Sequence, residues 1–168
     1  MKWLWLTVLV VILDQASKML VVEHIPLHGS VPVLSWFNLV YACNPGAAFS
    51  FLSDAGGWQR WFFIGLTLVI AAAILIWLLG LSGQQRILSC ALALILGGAL
   101  GNLWDRIDPG CVVDFIQVYL EFIPMRLFNP WPAFNVADSA ITIGAILLII
   151  DTFFLDDVEI SRKVKPPG

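Results

Sequence analysis

The stretch from Trp61 to Leu81 contains no charged side chain and no polar stripe. At 1.5 Å of rise per residue, a helix of this length crosses the roughly 30 Å hydrocarbon core of a bilayer. A surface helix of a soluble bundle keeps one polar face, and this segment has none. Three further apolar segments accompany it. The first runs from Trp3 to Val22 and is interrupted by Asp14, Gln15 and Lys18. The third covers Ile87 to Leu103, and the fourth Ser139 to Leu155, with Asp151 near its far end. The last two lie near the short limit for a spanning helix. Composition agrees: 60% of the chain is hydrophobic and 12% charged, against roughly 25% charged in a soluble domain, and mean hydropathy is +0.88. The sequence predicts an all-α polytopic membrane protein with four transmembrane helices, built as a single domain over residues 1–168. Lys2 ahead of Trp3–Leu13 has the look of a signal peptide, but no small-residue cleavage motif follows, so a retained first helix is expected.

Four spans put both termini on one side. That side carries Lys2, Arg86, Arg162, Lys163 and Lys165; the other carries Lys18, Arg60, Arg106 and Arg126. The bias sharpens when Lys18 and Arg106 are set aside as site residues, and it places both termini in the cytoplasm. Tryptophans such as Trp3, Trp58, Trp77 and Trp104 fall near helix ends, as interfacial anchors do. The outer side then holds two long connections. One includes the alternating, strand-like run Val31–Tyr41; the other includes Phe128–Phe134, rich in proline and aromatics. Both are apolar enough to lie on the membrane surface.

Polar residues near the hydrocarbon are costly and are usually kept for function. Asp114 follows the third apolar segment, and Asp138 opens the fourth. Asn102 and Arg106 share a helix face at the outer end of the third, while Asn135, Asp138 and Thr142 share one at the start of the fourth. Arg106 could pair with Asp105, hold a carboxylate or bind a backbone carbonyl. Asp14 and Lys18, four apart, can form an intrahelical ion pair, either to neutralise two charges or to support a site. Asp138 could simply cap its helix. Ala93, Gly97 and Gly101 form a small-residue stripe suited to close helix packing.

No Ser/His/Asp or Cys/His set, nucleophile elbow or paired-histidine metal motif is present, so a hydrolase built here must use carboxylates. Two carboxylates held close cannot both ionise cheaply, and the pair splits into an acid and a base. Cys43, Cys90 and Cys111 are odd in number and widely spaced, which argues against a disulfide framework or a zinc site; Cys90 reads as a small buried hydrophobe. No metal or other cofactor is expected, and no basic stripe points to nucleic acid. A proton or cation transporter built on Asp14, Asp114 and Asp138 is the main rival reading, but these residues gather at one membrane face. A non-catalytic scaffold would leave the clustered Asp, Asn and Arg unexplained.

Five ordered blocks carry a resemblance: Leu13-Asp-Gln-Ala-Ser-Lys18, Asn44-Pro-Gly-Ala-Ala-Phe-Ser50, Gly97-Gly-Ala-Leu-Gly-Asn-Leu-Trp-Asp-Arg106, Val112-Val-Asp-Phe115 and Phe134-Asn-Val-Ala-Asp-Ser-Ala-Ile141. Through them the chain resembles the bacterial lipoprotein signal peptidases (signal peptidase II) over nearly its whole length. The resemblance implies a four-helix enzyme of the bacterial inner membrane with a small periplasmic β-cradle around Val31–Ser50 and a surface loop or helix. It implies an aspartic endopeptidase that removes signal peptides from prolipoproteins, cutting just before a diacylglyceryl-modified cysteine. Asp114 and Asp138 match the family's catalytic pair. Asn102, Arg106 and Asn135 match polar residues lining its site, and Asn44, Gly46, Asp14 and Lys18 match other motif positions. The implied partners are lipidated prolipoproteins, membrane lipid and the cyclic-peptide inhibitor globomycin.

Overall fold

The computed structural model describes residues 2–45, 57–82, 85–120 and 129–155. Gly46, Arg126 and the tail cations Arg162, Lys163 and Lys165 lie outside the described residues. Four helices are long and apolar enough to cross a membrane: α1 (Leu4–His24), α2 (Trp58–Gly80), α3 (Arg86–Ile107) and α4 (Val136–Ile150), the last prolonged by a π-helical turn, Asp151–Leu155. A three-stranded antiparallel sheet, β1 (Ser30–Leu34), β2 (Phe37–Asn44) and β3 (Val112–Val118), runs in the order β1-β2-β3.

The bundle is inside out relative to a soluble protein. Met19, Val69, Ile76 and Phe153 are among the most exposed side chains, whereas Asp14 and Lys18 are buried. Such an apolar exterior is stable only against lipid. Helix α3 is the axis: 61% of its apolar window is buried, against 17–28% for the other three, and it packs on α1, α2 and α4. Its small residues make this possible. A Cβ on Gly97 would lie 2.7 Å from the Val10 side chain, and one on Gly101 would lie 2.6 Å from Asp14 Oδ2. Gly98 faces the Ala137 backbone of α4 in the same way. Thr7 Oγ1 donates to the Ala93 carbonyl at 3.0 Å, a further tie between α1 and α3.

Several boundaries differ from the sequence expectation. The run Val31–Tyr41 is two strands of a hairpin, turning at Ser35 and Trp36. Helix α3 continues past Leu103 to Ile107, because Asn102 and Asp105 point into the bundle and remain helical without facing lipid. Helix α4 starts at Val136 instead of Ser139, because Asn135 caps it. Strand β3 was not expected; its apolar run follows a helix directly and pairs far away in sequence, with β2. Phe134 forms a bridge to Ile116, donating its N–H to the Ile116 carbonyl at 3.0 Å, and so carries the chain from β3 into α4.

The expectation that the cysteines stay unpaired is also corrected: Cys43 and Cys111 form a disulfide, with Cα atoms 5.4 Å apart. Their separation of 68 residues hides the pairing in the sequence. The β2–β3 register, which sets Cys43 opposite Val113 and Asn44 opposite Val112, brings the two together. Cys90 remains a free thiol.

Close approach at the glycines makes a direct prediction. Gly97→Ala and Gly101→Ala should each lower the melting temperature of detergent-purified protein, since overpacking costs roughly 1–3 kcal/mol. Gly65→Ala, where an added Cβ meets nothing within 4 Å, should leave it unchanged. Equal melting of all three variants would contradict the packing.

Candidate active site

The start of α4 is built by reciprocal capping. The Asn135 side-chain oxygen accepts the Asp138 N–H at 2.9 Å, and Asp138 Oδ2 accepts the Asn135 N–H at 3.2 Å. This capping box satisfies two orphan donors of the helix end. It also fixes the Asp138 rotamer, leaving Oδ1 to accept from Asn102 Nδ2 at 2.8 Å. The capping function considered for Asp138 is therefore real, and the same contacts aim its carboxyl group.

Asp114 arrives from the sheet, on β3 opposite Ala42 of β2. Its Oδ1 accepts from Asn135 Nδ2 at 2.9 Å and its Oδ2 from Asn44 Nδ2 at 3.1 Å. Asn135, with no solvent exposure, thus touches both carboxyl groups and holds them side by side. Burial, with the charge of Asp138 beside it as a second cause, pushes the Asp114 carboxyl up to about 7, against the lowering effect of the Asn44 and Asn135 amides.

Beneath this pair lies a buried ionic cluster. Lys18 Nζ is 2.7 Å from Asp14 Oδ2 and 2.7 Å from Asp105 Oδ2, and it donates to Asn102 Oδ1 at 3.0 Å. All three ammonium protons are used. The carboxylates of the cluster also reach the backbone: Asp14 Oδ1 accepts the Ala137 N–H at 2.9 Å, next to Asp138. Asp105 Oδ2 accepts the Val113 N–H at 3.1 Å, next to Asp114. Gln15 Nε2 closes the ring by donating to Asp105 Oδ1 at 2.8 Å. Of the partners open to Arg106, the carbonyl of Asn102 is engaged at 3.0 Å, and its guanidinium lies over the Phe63 ring, 5.4 Å from the centroid.

Asp114 and Asp138 open into a cavity of about 880 Å³. Asn44, Asn102 and Arg106 supply further polar groups to its wall, and Trp131, Phe134 and Ile141 contribute apolar surface. The structure therefore brings together Asp114, Asp138, Asn102, Arg106, Asn135 and Asn44, with Asp14 and Lys18 one layer below; Gly46 lies outside the described residues. Asp105 was the residue missed as a site support. Its spacing of three from Asn102 was a usable signal, but it does not reveal Lys18 on another helix as the partner.

A model of the signal peptidase (SPase) II family matches residues 6–154. The chain belongs to the signal peptidase II family. It is 50% identical over 155 residues to the lipoprotein signal peptidase of Yersinia enterocolitica, covering 91% of this chain and 87% of that one. A Yersinia pestis lipoprotein signal peptidase gives the same identity and coverage. Two solved structures share the fold, each described as a bacterial membrane enzyme structure by the in meso method. One, at 2.3 Å resolution, superposes with a TM-score of 0.80 at 30% identity, covering 99% of this chain and 93% of that one. The other, at 1.9 Å, gives a TM-score of 0.76 at 32% identity, with coverage of 92% and 94%. As a signal peptidase II, the chain is a multi-pass membrane peptidase.

The ionic cluster predicts how this peptidase fails. Lys18→Met leaves Asp14 and Asp105 facing each other without a cation, at a cost of roughly 3–5 kcal/mol. The variant should melt well below the parent in detergent, with Asp105→Asn, which leaves Lys18 one carboxylate, milder. A Lys18→Met protein as stable as the parent would contradict the cluster's role.

Proposed function

We propose that this signal peptidase II is an aspartic endopeptidase that removes signal peptides from prolipoproteins by cutting just before a diacylglyceryl-modified cysteine, with Asp114 and Asp138 as its catalytic residues. The observation that carries the reading is the pair itself: two carboxyl groups bridged by one buried asparagine and facing a cavity with an apolar wall. Asp114 holds the proton at rest and Asp138 is the ionised partner. Asp138 takes a proton from the attacking water while Asp114 protonates the scissile carbonyl oxygen. The tetrahedral diol then collapses, Asp138 passing its proton to the leaving amine and Asp114 recovering its own. Asn44, Asn102 and Asn135 orient the two carboxyl groups. Arg106, on the cavity wall, meets substrate backbone. Asp14 and Lys18 anchor the layer below, and Gly46 is carried as a further substrate-site position on its motif.

The enzyme is a single peptidase domain over residues 1–168, set in the bacterial inner membrane with both termini cytoplasmic and the site near the periplasmic face. Two observations support this orientation. Arg60, counted among the outer cations, donates Nε to the Arg106 carbonyl at 2.7 Å and so caps α3, leaving fewer unengaged cations outside. A disulfide at the sheet end suits an oxidising compartment. The acyl chains of the substrate and surrounding lipid meet the apolar wall, where each buried methylene contributes roughly 0.8 kcal/mol. Globomycin, as a cyclic peptide, is placed in the same cavity.

Two outcomes are expected. Asp114→Asn and Asp138→Asn should each lower turnover of a diacylglyceryl-modified prolipoprotein by about 10²-fold or more while the protein still folds. Mass spectrometry of the products reads the bond cut, and near-normal turnover by either folded variant would sink the assignment. Turnover of the parent should also fall as pH rises through about 7. Above that value both carboxyl groups are ionised and no acid remains to protonate the carbonyl oxygen; the apparent constant belongs to the pair. A profile flat across neutral pH would exclude a shared proton.

A further inference from the structure

We infer that Arg60 and Phe63, near the start of α2, are positioning residues for Arg106, one taking its carbonyl and the other lying under its guanidinium. The inference rests on the reading of Arg106 as a substrate contact. Arg60 stands at the wrong end of its own helix, since a cation in the first turn opposes the dipole of α2 and cations favour helix C-termini. The helix end it serves is that of α3. The last carbonyls of a helix need partners from outside its regular ladder. Trp104 receives the Asp108 N–H at 2.9 Å, and Asp105 the Gly110 N–H at 2.8 Å. Arg60 takes the next two, donating Nε to the Arg106 carbonyl at 2.7 Å and Nη2 to the Ile107 carbonyl at 2.8 Å. The turn that follows passes against the same guanidinium: a Cβ on Gly110, whose φ is +105°, would lie 3.1 Å from Arg60 Nη1.

The same stretch of α2 supports the other end of Arg106. Phe63, about one turn after Arg60, sets its ring 5.4 Å from the Arg106 guanidinium carbon, within the range of a cation–π contact. Arg106 lines the cavity into which Asp114 and Asp138 open. Its Nη1 also donates to the Asn102 carbonyl, so α2 shares the hold with α3 itself. Without Arg60, two carbonyls at the end of α3 lose a charged donor, the last turn loosens, and the guanidinium spreads over more positions. Substrate backbone then meets it less often, and binding weakens. Asp114 and Asp138 keep their geometry, because Asn135 bridges them independently of α2. The loss therefore falls on binding and spares the chemical step.

The test uses the full chain in detergent with a diacylglyceryl-modified prolipoprotein, reading KM and kcat separately. Arg60→Met should raise KM about tenfold, the scale of one hydrogen bond from a charged group. Its kcat should stay within about twofold, as when only ground-state binding is lost. Arg60→Lys should be milder, since an ammonium lacks the fork that spans two carbonyls. Phe63→Leu, which keeps an apolar side chain without a ring, should also raise KM. In an Arg106→Gln background none of the three should add to the loss, because the group they position is gone. An unchanged KM in Arg60→Met would overturn the inference. So would an equal rise in KM in both backgrounds, which marks a bond that serves folding alone. If Arg60→Met does not fold, Arg60→Lys and Phe63→Leu read the same coupling. The ¹⁵Nε resonance of Arg106 separates this inference from the reading of Arg106 as a substrate contact. A shift or broadening in Arg60→Lys keeps the positioning even if Arg106→Gln has a normal KM. An unmoved resonance removes it even if Arg106→Gln is impaired.

Discussion

Lys18, buried inside the membrane-spanning bundle, is held between Asp14 and Asp105 at 2.7 Å each, and the site above it depends on this arrangement. An unpaired charge at this depth would cost several kcal/mol, so all three groups must stay in place together. The two carboxylates also hold backbone: Asp14 Oδ1 grips the Ala137 N–H at the head of α4, and Asp105 Oδ2, the oxygen that faces Lys18, also takes the Val113 N–H of β3. These peptides immediately precede Asp138 and Asp114. The cluster therefore turns an electrostatic necessity into a template that sets a helix end and a strand at a fixed separation. Asn102, which accepts from Lys18 and donates to Asp138, links the layers directly.

The glycines of α3 make that template possible. Asp14 can lie against α3 only because Gly101 has no Cβ, and α4 can approach only because Gly98 has none. Small residues in a membrane helix are often read as packing devices alone. Here packing and chemistry are one requirement, since the contact that brings the helices together also lodges Asp14 below the site. The sheet meets a different requirement. It delivers Asp114 and Asn44 from outside the bundle, and the disulfide ties Cys43 of β2 to Cys111, just ahead of β3.

Much of the site was legible in the sequence because its residues are chemically conspicuous. Carboxylates, amides and cations in an apolar chain can be picked out one by one, and helical spacing groups Asn102 with Arg106 and Asp14 with Lys18. What spacing could not supply was the choice of partner between elements. Asp105 looked like a neighbour for Arg106, yet its partner is on α1. Cys43 and Cys111 looked unrelated, and β3 looked like a tail of α3, because strand register is a long-range property with no local signature.

The sequence by itself determined the solvent, the number of spans and, through five ordered blocks, the family. These follow from composition and local periodicity, which a bilayer reads almost residue by residue. Only the tertiary structure decided which carboxylates flank Lys18, that Asn135 bridges Asp114 and Asp138, and that two distant cysteines meet beside the site. Those outcomes depend on three helices and a sheet converging within hydrogen-bond distance. Such geometry comes from packing as a whole and is encoded in no single segment.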